Sequence, residues 1–294
     1  MNDSIWFKTY FHYNNEIIRP KTQLVLQEVA ERNSLSMSEM SLFNMLVQNS
    51  DFKPLEIEDF KIKYPFSKDG FVESSYNLLV EKGVMCKRSV GYALTKEGKR
   101  LLNNLELEYN KQLSHPINDS ILTVFKKVSE NSLRKDFSGI NRSVENRKHS
   151  ILRFEDSNNK FLQLMTAMGD LVALRNDQAH YRYEFILDSI PEHYGRLTHP
   201  MMELLGSVYD HGNLDVDRFL ARSTWGHSNE ETLKFVQDLL EMGLLNKNDS
   251  VITLSEKGNE LEKRTSIIYE YKFYEPWLFI DKSIYRSLER ISLK

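Results

Sequence analysis

Along residues 74–82 the apolar side chains Tyr76, Leu79 and Val80 return at helical spacing, and along 232–242 Phe235, Leu239 and Leu240 do the same. The spacing predicts two helices. Each is followed by a glycine, Gly83 or Gly243, placed where a left-handed residue stops a helix. Beyond the stop, short extended runs follow, 84–87 with 92–94 in one region and 244–246 with 251–254 in the other. The turn residues Arg88-Ser89-Val90-Gly91 and Lys247-Asn248-Asp249-Ser250 close each pair of runs into a hairpin. Thr95 and Ser255 then stand at the N-cap of helices that run through Leu101 and Leu102, or through Leu261. Upstream, 41–48 and 200–209 supply a first helix to each set, and 57–63 and 215–221 a second.

The two sets are one pattern written twice. Glu81-Lys82-Gly83-Val84-Met85, Leu94-Thr95-Lys96-Glu97-Gly98 and Leu101 return as Glu241-Met242-Gly243-Leu244-Leu245, Leu254-Ser255-Glu256-Lys257-Gly258 and Leu261. Every residue of the second set stands 160 positions after its counterpart, without a gap. Three helices, a hairpin and a trailing helix, ending in Leu-Thr/Ser-x-x-Gly-x-x-Leu, resemble the winged helix-turn-helix superfamily, in particular bacterial regulators of the MarR and PadR kind. The resemblance covers 36–109 and 197–271. It implies a mainly α fold with small β-hairpin wings, in which two winged-helix domains flank a helical middle region. The expected division is an N-terminal helical segment (1–35), winged-helix domain 1 (36–110), a central helical region with a basic loop (111–196), winged-helix domain 2 (197–271) and an aromatic C-terminal tail (272–294).

A winged helix reads DNA with the start of its third helix and holds phosphates with nearby lysines and arginines. In the first copy Lys68, Ser74 and Asn77 lie on or before that helix, and Lys87, Arg88, Lys96, Lys99 and Arg100 gather around the hairpin. The second copy opens its helix with Ser228 and Glu231 as a capping box, and Glu230 adds a further carboxylate where a phosphate would lie. That predicts a reader in the first copy and a poor one in the second. The alternative is that the basic cluster only solvates a surface, and winged helices also serve as protein-interaction modules.

Between the copies Lys126, Lys127, Arg134, Lys135, Arg142, Arg147, Lys148 and Arg153 stand against Glu130, Asp136 and Glu145, a net charge of +5 over 126–153. Interleaved Ser, Asn and Gly predict a long loop, either a phosphate-contacting arm or a solvated linker. In 161–174 Leu162, Leu164, Met165, Met168, Leu171, Val172 and Leu174 predict a core helix. The run that follows, Arg175-Asn176-x-x-Ala179-His180, resembles the Arg-x4-6-His motif of HEPN-domain ribonucleases. That resemblance implies metal-independent RNA cleavage in a dimer cleft, with Arg175 stabilising phosphate charge, His180 moving the proton and Asn176 as polar helper. The bare spacing recurs at Arg222 to His227 and Arg142 to His149, and the alternative for Arg175 is an ion pair with Asp177.

Composition narrows the field without deciding it. The 294 residues are 40% hydrophobic and 28% charged with a net charge of −3, which excludes collagen-like and wholly disordered chains and a surface that coats nucleic acid throughout. Cys86 is the single cysteine, so neither an internal disulfide nor a Cys-pair zinc site can form. His193 and His199 lack helical metal-ligand spacing, and no phosphate-binding glycine loop or nucleophile elbow occurs, so no metal and no cofactor are expected. Without a signal-peptide core or an uninterrupted apolar span, the expectation is a cytoplasmic protein with no membrane partner. Tyr269, Tyr271, Phe273, Tyr274, Trp277 and Phe279 suit packing against the core or a second subunit. The expected role is a non-enzymatic, self-associating regulator that binds nucleic acid, DNA ahead of RNA, through its first winged helix and the basic loop. The alternatives are an HEPN-like ribonuclease with winged-helix targeting modules and a tandem winged-helix interaction scaffold.

Overall fold

A computed structural model of the chain describes residues 9–10, 12–48, 67–68, 70–89, 91–132, 147, 150–189, 197–220 and 226–274, and for 175–189 and 266–274 the course of the backbone. Among these the chain is mainly helical with two small antiparallel sheets. A π-helical stretch (His12–Ile18) leads into α1 (Arg19–Arg32) and α2 (Met37–Val47). Then come α3 (Phe71–Glu81), the hairpin β1 (Met85–Lys87) and β2 (Tyr92–Leu94), α4 (Lys96–Gln112), α5 (Asp119–Ser132) and α6 (Lys160–Ser189). The last part holds α7 (His199–His211), β3 (Leu214–Asp215), α8 (Val216–Leu220), α9 (Asn229–Glu241), β4 (Leu245–Asn248), β5 (Val251–Leu254) and α10 (Glu256–Tyr274).

The repeat is present bond for bond. Gly83 (φ +71°) and Gly243 (φ +69°) take the left-handed conformation that a side chain would strain. Around Gly83 the N–H groups of Gly83 and Val84 donate back to the carbonyls of Val80 and Leu79 at 2.9 and 3.0 Å, and those of Gly243 and Leu244 to Leu240 and Leu239 at 2.9 Å each. This pair of bonds is a Schellman stop, written twice. The hairpins share a register, with Met85 opposite Leu94 and Leu245 opposite Leu254. The Thr95 hydroxyl donates to the Gly83 carbonyl at 2.6 Å and accepts from the Gly98 N–H at 3.1 Å. Ser255 repeats both bonds, to Gly243 at 2.6 Å and from Gly258 at 3.0 Å. Gly98 and Gly258 lie so close to the carbonyls of Val84 and Leu244 that any Cβ there would collide with backbone.

The contacts divide the chain into two units, Met1–Asp59 with Ser74–Asp177 and Phe273–Lys294, and Phe60–Glu73 with Gln178–Lys272. In the first unit α1 runs antiparallel to α4, tied by Arg32 to Glu108 at 2.7 Å and Gln112 to Glu28 at 2.8 Å. Val25, Val29, Met40, Phe43, Leu79, Leu105 and Tyr109 are buried in it. The α2 start carries a capping box: Ser36 Oγ accepts from the Glu39 N–H at 3.2 Å and Glu39 accepts from the Ser36 N–H at 2.6 Å. In the second unit β5 lies between β3 and β4, because Leu214 pairs with Ile252 and Asp215 with Val251. Met201, Leu205, Val208, Val236, Leu239, Leu244 and Ile252 form its core.

Two expectations need correction. The loop expected from Lys126 onwards begins later, since α5 continues through Ser132 with Val124, Phe125 and Val128 buried along one side. Apolar periodicity outweighs the interleaved polar residues there. Arg147 and Arg153 are also not surface charges of that stretch, because Asp170 on α6 draws both inward. The second helices of the two sets differ in standing: the one expected over 57–63 lies outside the described residues, while α8 fills 216–220 behind a strand that was not anticipated.

Candidate nucleic-acid interface

The first copy presents two features side by side on one hairpin-and-helix frame. On α3 the periodicity that buries Tyr76 and Leu79 leaves Glu73, Ser74, Asn77, Leu78 and Glu81 as an exposed stripe. In β1 the side chains pass from buried Met85 to exposed Lys87, which pairs across the hairpin with Tyr92. Arg88 is exposed at the turn, its N–H bonded to the Gly91 carbonyl at 2.9 Å. Lys96, Lys99 and Arg100 are exposed on the first turns of α4, where Arg100 meets Glu97 at 2.8 Å.

Behind the stripe Asn77, a candidate from the sequence, meets a pair of tyrosines that the pattern did not link to it. The rings of Tyr76 and Tyr92 stack with centroids 4.5 Å apart and an interplanar angle of 13°. Tyr92 Oη donates to Asn77 Oδ1 at 3.2 Å. The second copy carries Val236, Ile252 and Gln237 at the corresponding positions. Aligning the copies for their differences would have found the trio.

The second copy's surface has the other sign. Lys247 is the counterpart of Lys87, but Asn248, Glu256, Asn259 and Glu260 replace Arg88, Lys96, Lys99 and Arg100. At the start of α9, Ser228 Oγ accepts from the Glu231 N–H at 3.1 Å, and the Glu231 carboxylate accepts from the Ser228 N–H at 2.8 Å. Lys68 Nζ lies 2.7 Å from the other Glu231 oxygen. Its hydrogen bond, with that of the Ser228 N–H, pushes the Glu231 carboxyl down to about 2. Lys68 thus sits in an ion pair within the second unit.

The remaining candidates are more dispersed. Lys126 and Lys127 lie on α5, half-buried and exposed respectively, while Arg134 and Lys135 fall outside the described residues. Arg175, Asn176 and His180 lie on the α6 backbone, and their side chains are outside the described part. On an unbroken helix five positions turn through about 140°, so Arg175 and His180 start from different faces. Of the aromatic tail, Tyr269 to Tyr274 continue α10 and Trp277 and Phe279 are outside the described residues.

The buried charges of the first unit are structural. Arg147 Nε lies 3.0 Å from Asp170 Oδ1, and Arg153 reaches the same carboxylate at 3.0 and 3.1 Å. The Ser129 hydroxyl donates to Asp170 at 2.7 Å, while Arg147 and Arg153 also donate to the carbonyls of Gln48 and Arg147 at 3.0 and 2.7 Å. Arg153 further pairs with Glu155. Burial would raise the Asp170 carboxyl, but Arg147, Arg153 and Ser129 outweigh it and hold it below its ordinary value. This one carboxylate on α6 ties down Ser129 of α5 and the side chains of Arg147 and Arg153. Among the described residues no three His, Cys, Asp or Glu side chains gather as a metal site requires, and no helix is long and apolar enough to cross a membrane.

Comparison of the chain with protein-family models, curated proteins and solved structures finds no match.

Proposed function

We propose that the chain is a winged-helix regulator that binds duplex DNA through its first copy, without catalysis, while the second copy serves assembly. The observation that carries this reading is the contrast between two surfaces built on one backbone. Around the first hairpin five exposed basic residues, Lys87, Arg88, Lys96, Lys99 and Arg100, stand against Glu97, whereas Lys247 and Lys257 face Asp249, Glu256 and Glu260 in the second. The helix stop, hairpin register and hydroxyl cap that the copies share impose no such asymmetry, and a charged partner of the first copy accounts for it. Duplex DNA fits, because phosphate neutralisation is the main source of affinity and an exposed helix stripe beside it reaches base edges.

The test is fluorescence anisotropy of a labelled duplex of mixed sequence titrated over a salt series. The double variant Lys87→Glu and Arg88→Glu should weaken binding by at least tenfold and flatten the dependence of log K on log salt by about one unit per lost contact. Glu256→Lys with Glu260→Lys should leave the first copy's contribution in place. Unchanged binding in the first variant, or no binding by the natural chain at low salt, contradicts the reading.

A further inference from the structure

We infer that Tyr92 is a positioning residue that holds Asn77 with its amide nitrogen outward, so that α3 selects guanine at one base pair of its site. The inference rests on the duplex-binding reading and deepens it. Tyr92 is 1% exposed on β2, and its counterpart Ile252 is 0% exposed on β5 in the same hairpin register. The second copy shows that this position packs well with an aliphatic side chain. A hydroxyl placed there must find a partner or carry a desolvation penalty. The partner is a side chain of the exposed stripe, not a backbone group: Tyr92 Oη donates to Asn77 Oδ1 at 3.2 Å.

That bond decides which end of the carboxamide faces outward. With Oδ1 engaged by the phenol, the Nδ2 group is left pointing away from the hairpin, and it carries two donors and no acceptor. Turning the amide over would leave the phenol proton without its acceptor. The stacking of Tyr92 on buried Tyr76 fixes the phenol in turn. An asparagine free to rotate reads adenine by accepting from N6 and donating to N7 together. A carboxamide whose oxygen is held by the phenol and whose two N–H donors face outward matches guanine, whose major-groove edge offers the N7 and O6 acceptors. Lys87 stands opposite Tyr92 in the register, so the residue that orients Asn77 shares a cross-strand pair with the wing's first lysine. In the second copy Gln237 instead donates to Glu241 on its own helix at 3.1 Å, and Val236 and Ile252 supply no hydroxyl to hold it.

The experiment is selection of the full chain on a pool of duplexes with a randomised central block, followed by sequencing, with affinity for the unselected pool measured alongside. The natural chain should enrich guanine over adenine at one position by roughly tenfold. Tyr92→Phe keeps the stacked ring but frees the carboxamide, so adenine should be admitted at that position and the guanine-to-adenine ratio should fall towards one. Asn77→Asp retains an acceptor for the Tyr92 hydroxyl and turns the outward atom from donor to acceptor, so it should exchange guanine for cytosine, whose N4 donates. Circular dichroism melting checks that each variant is folded, and Asn77→Asp, exposed on its helix, keeps the test decisive if Tyr92→Phe is not. An unchanged guanine preference in Tyr92→Phe or in Asn77→Asp overturns the inference. Duplex binding by the natural chain without base preference overturns it too and leaves the duplex reading standing. Absence of any duplex binding overturns that reading and this one with it.

Discussion

The two copies of the repeat share a frame and differ in surface. Schellman stop, hairpin register, hydroxyl cap and close glycine coincide 160 positions apart, down to bond lengths that agree within about 0.1 Å. Over the same backbone one copy exposes lysine and arginine and a tyrosine-held asparagine, while the other exposes carboxylates and a capping box. The lesson is that the buried pattern fixes the architecture and leaves the solvent face open to a separate purpose. The buried and turn residues the copies share are those the frame needs, and the exposed residues they do not share are where a difference in function is to be sought.

The largest effect should fall on something only one unit has. Asp170→Ala leaves Arg147 and Arg153 buried without their carboxylate and should destabilise the first unit by about 3–5 kcal/mol, read by thermal or urea melting. The sign of the pH dependence follows from the lowered Asp170 carboxyl: its stabilisation is present above the unfolded value near pH 4 and is lost as pH falls through the folded value. Acid melting of the natural chain should therefore steepen below about pH 4, and less so in Asp170→Asn. A smaller effect should fall on both copies alike. Gly98→Ala and Gly258→Ala each force a Cβ against a backbone carbonyl and should cost about 1–3 kcal/mol apiece. If one of the two were neutral, the frames would not be equivalent.

Much of this frame was legible in the sequence, because Gly83, Gly243, Thr95 and Ser255 act through local bonds that spacing alone encodes. The capping box of Ser228 and Glu231 was legible for the same reason. What spacing does not encode is pairing across distance. Arg147 reads as part of a basic loop until Asp170, 23 positions on, is brought against it. Lys68 reads as a phosphate contact, and nothing in its spacing shows Glu231, 163 positions away, which lies 2.7 Å from its ammonium. Tyr92 reads as a strand aromatic until its hydroxyl meets Asn77, 15 positions earlier. Charges and hydroxyls declare their role only once their partners are known, whereas apolar periodicity and turn chemistry declare theirs locally.

The central claim is that the first copy's surface, and not the shared frame, carries duplex binding. The most direct measurement gives the first copy the second copy's residues, in the fourfold variant Arg88→Asn, Lys96→Glu, Lys99→Asn and Arg100→Glu, and follows duplex binding by anisotropy at low salt. None of the four is buried, so the melting temperature should stay within a few degrees of the natural chain. Duplex affinity should fall by at least a hundredfold, with the salt dependence nearly flat. A variant that melts as the natural chain does and still binds duplex with natural affinity would contradict it.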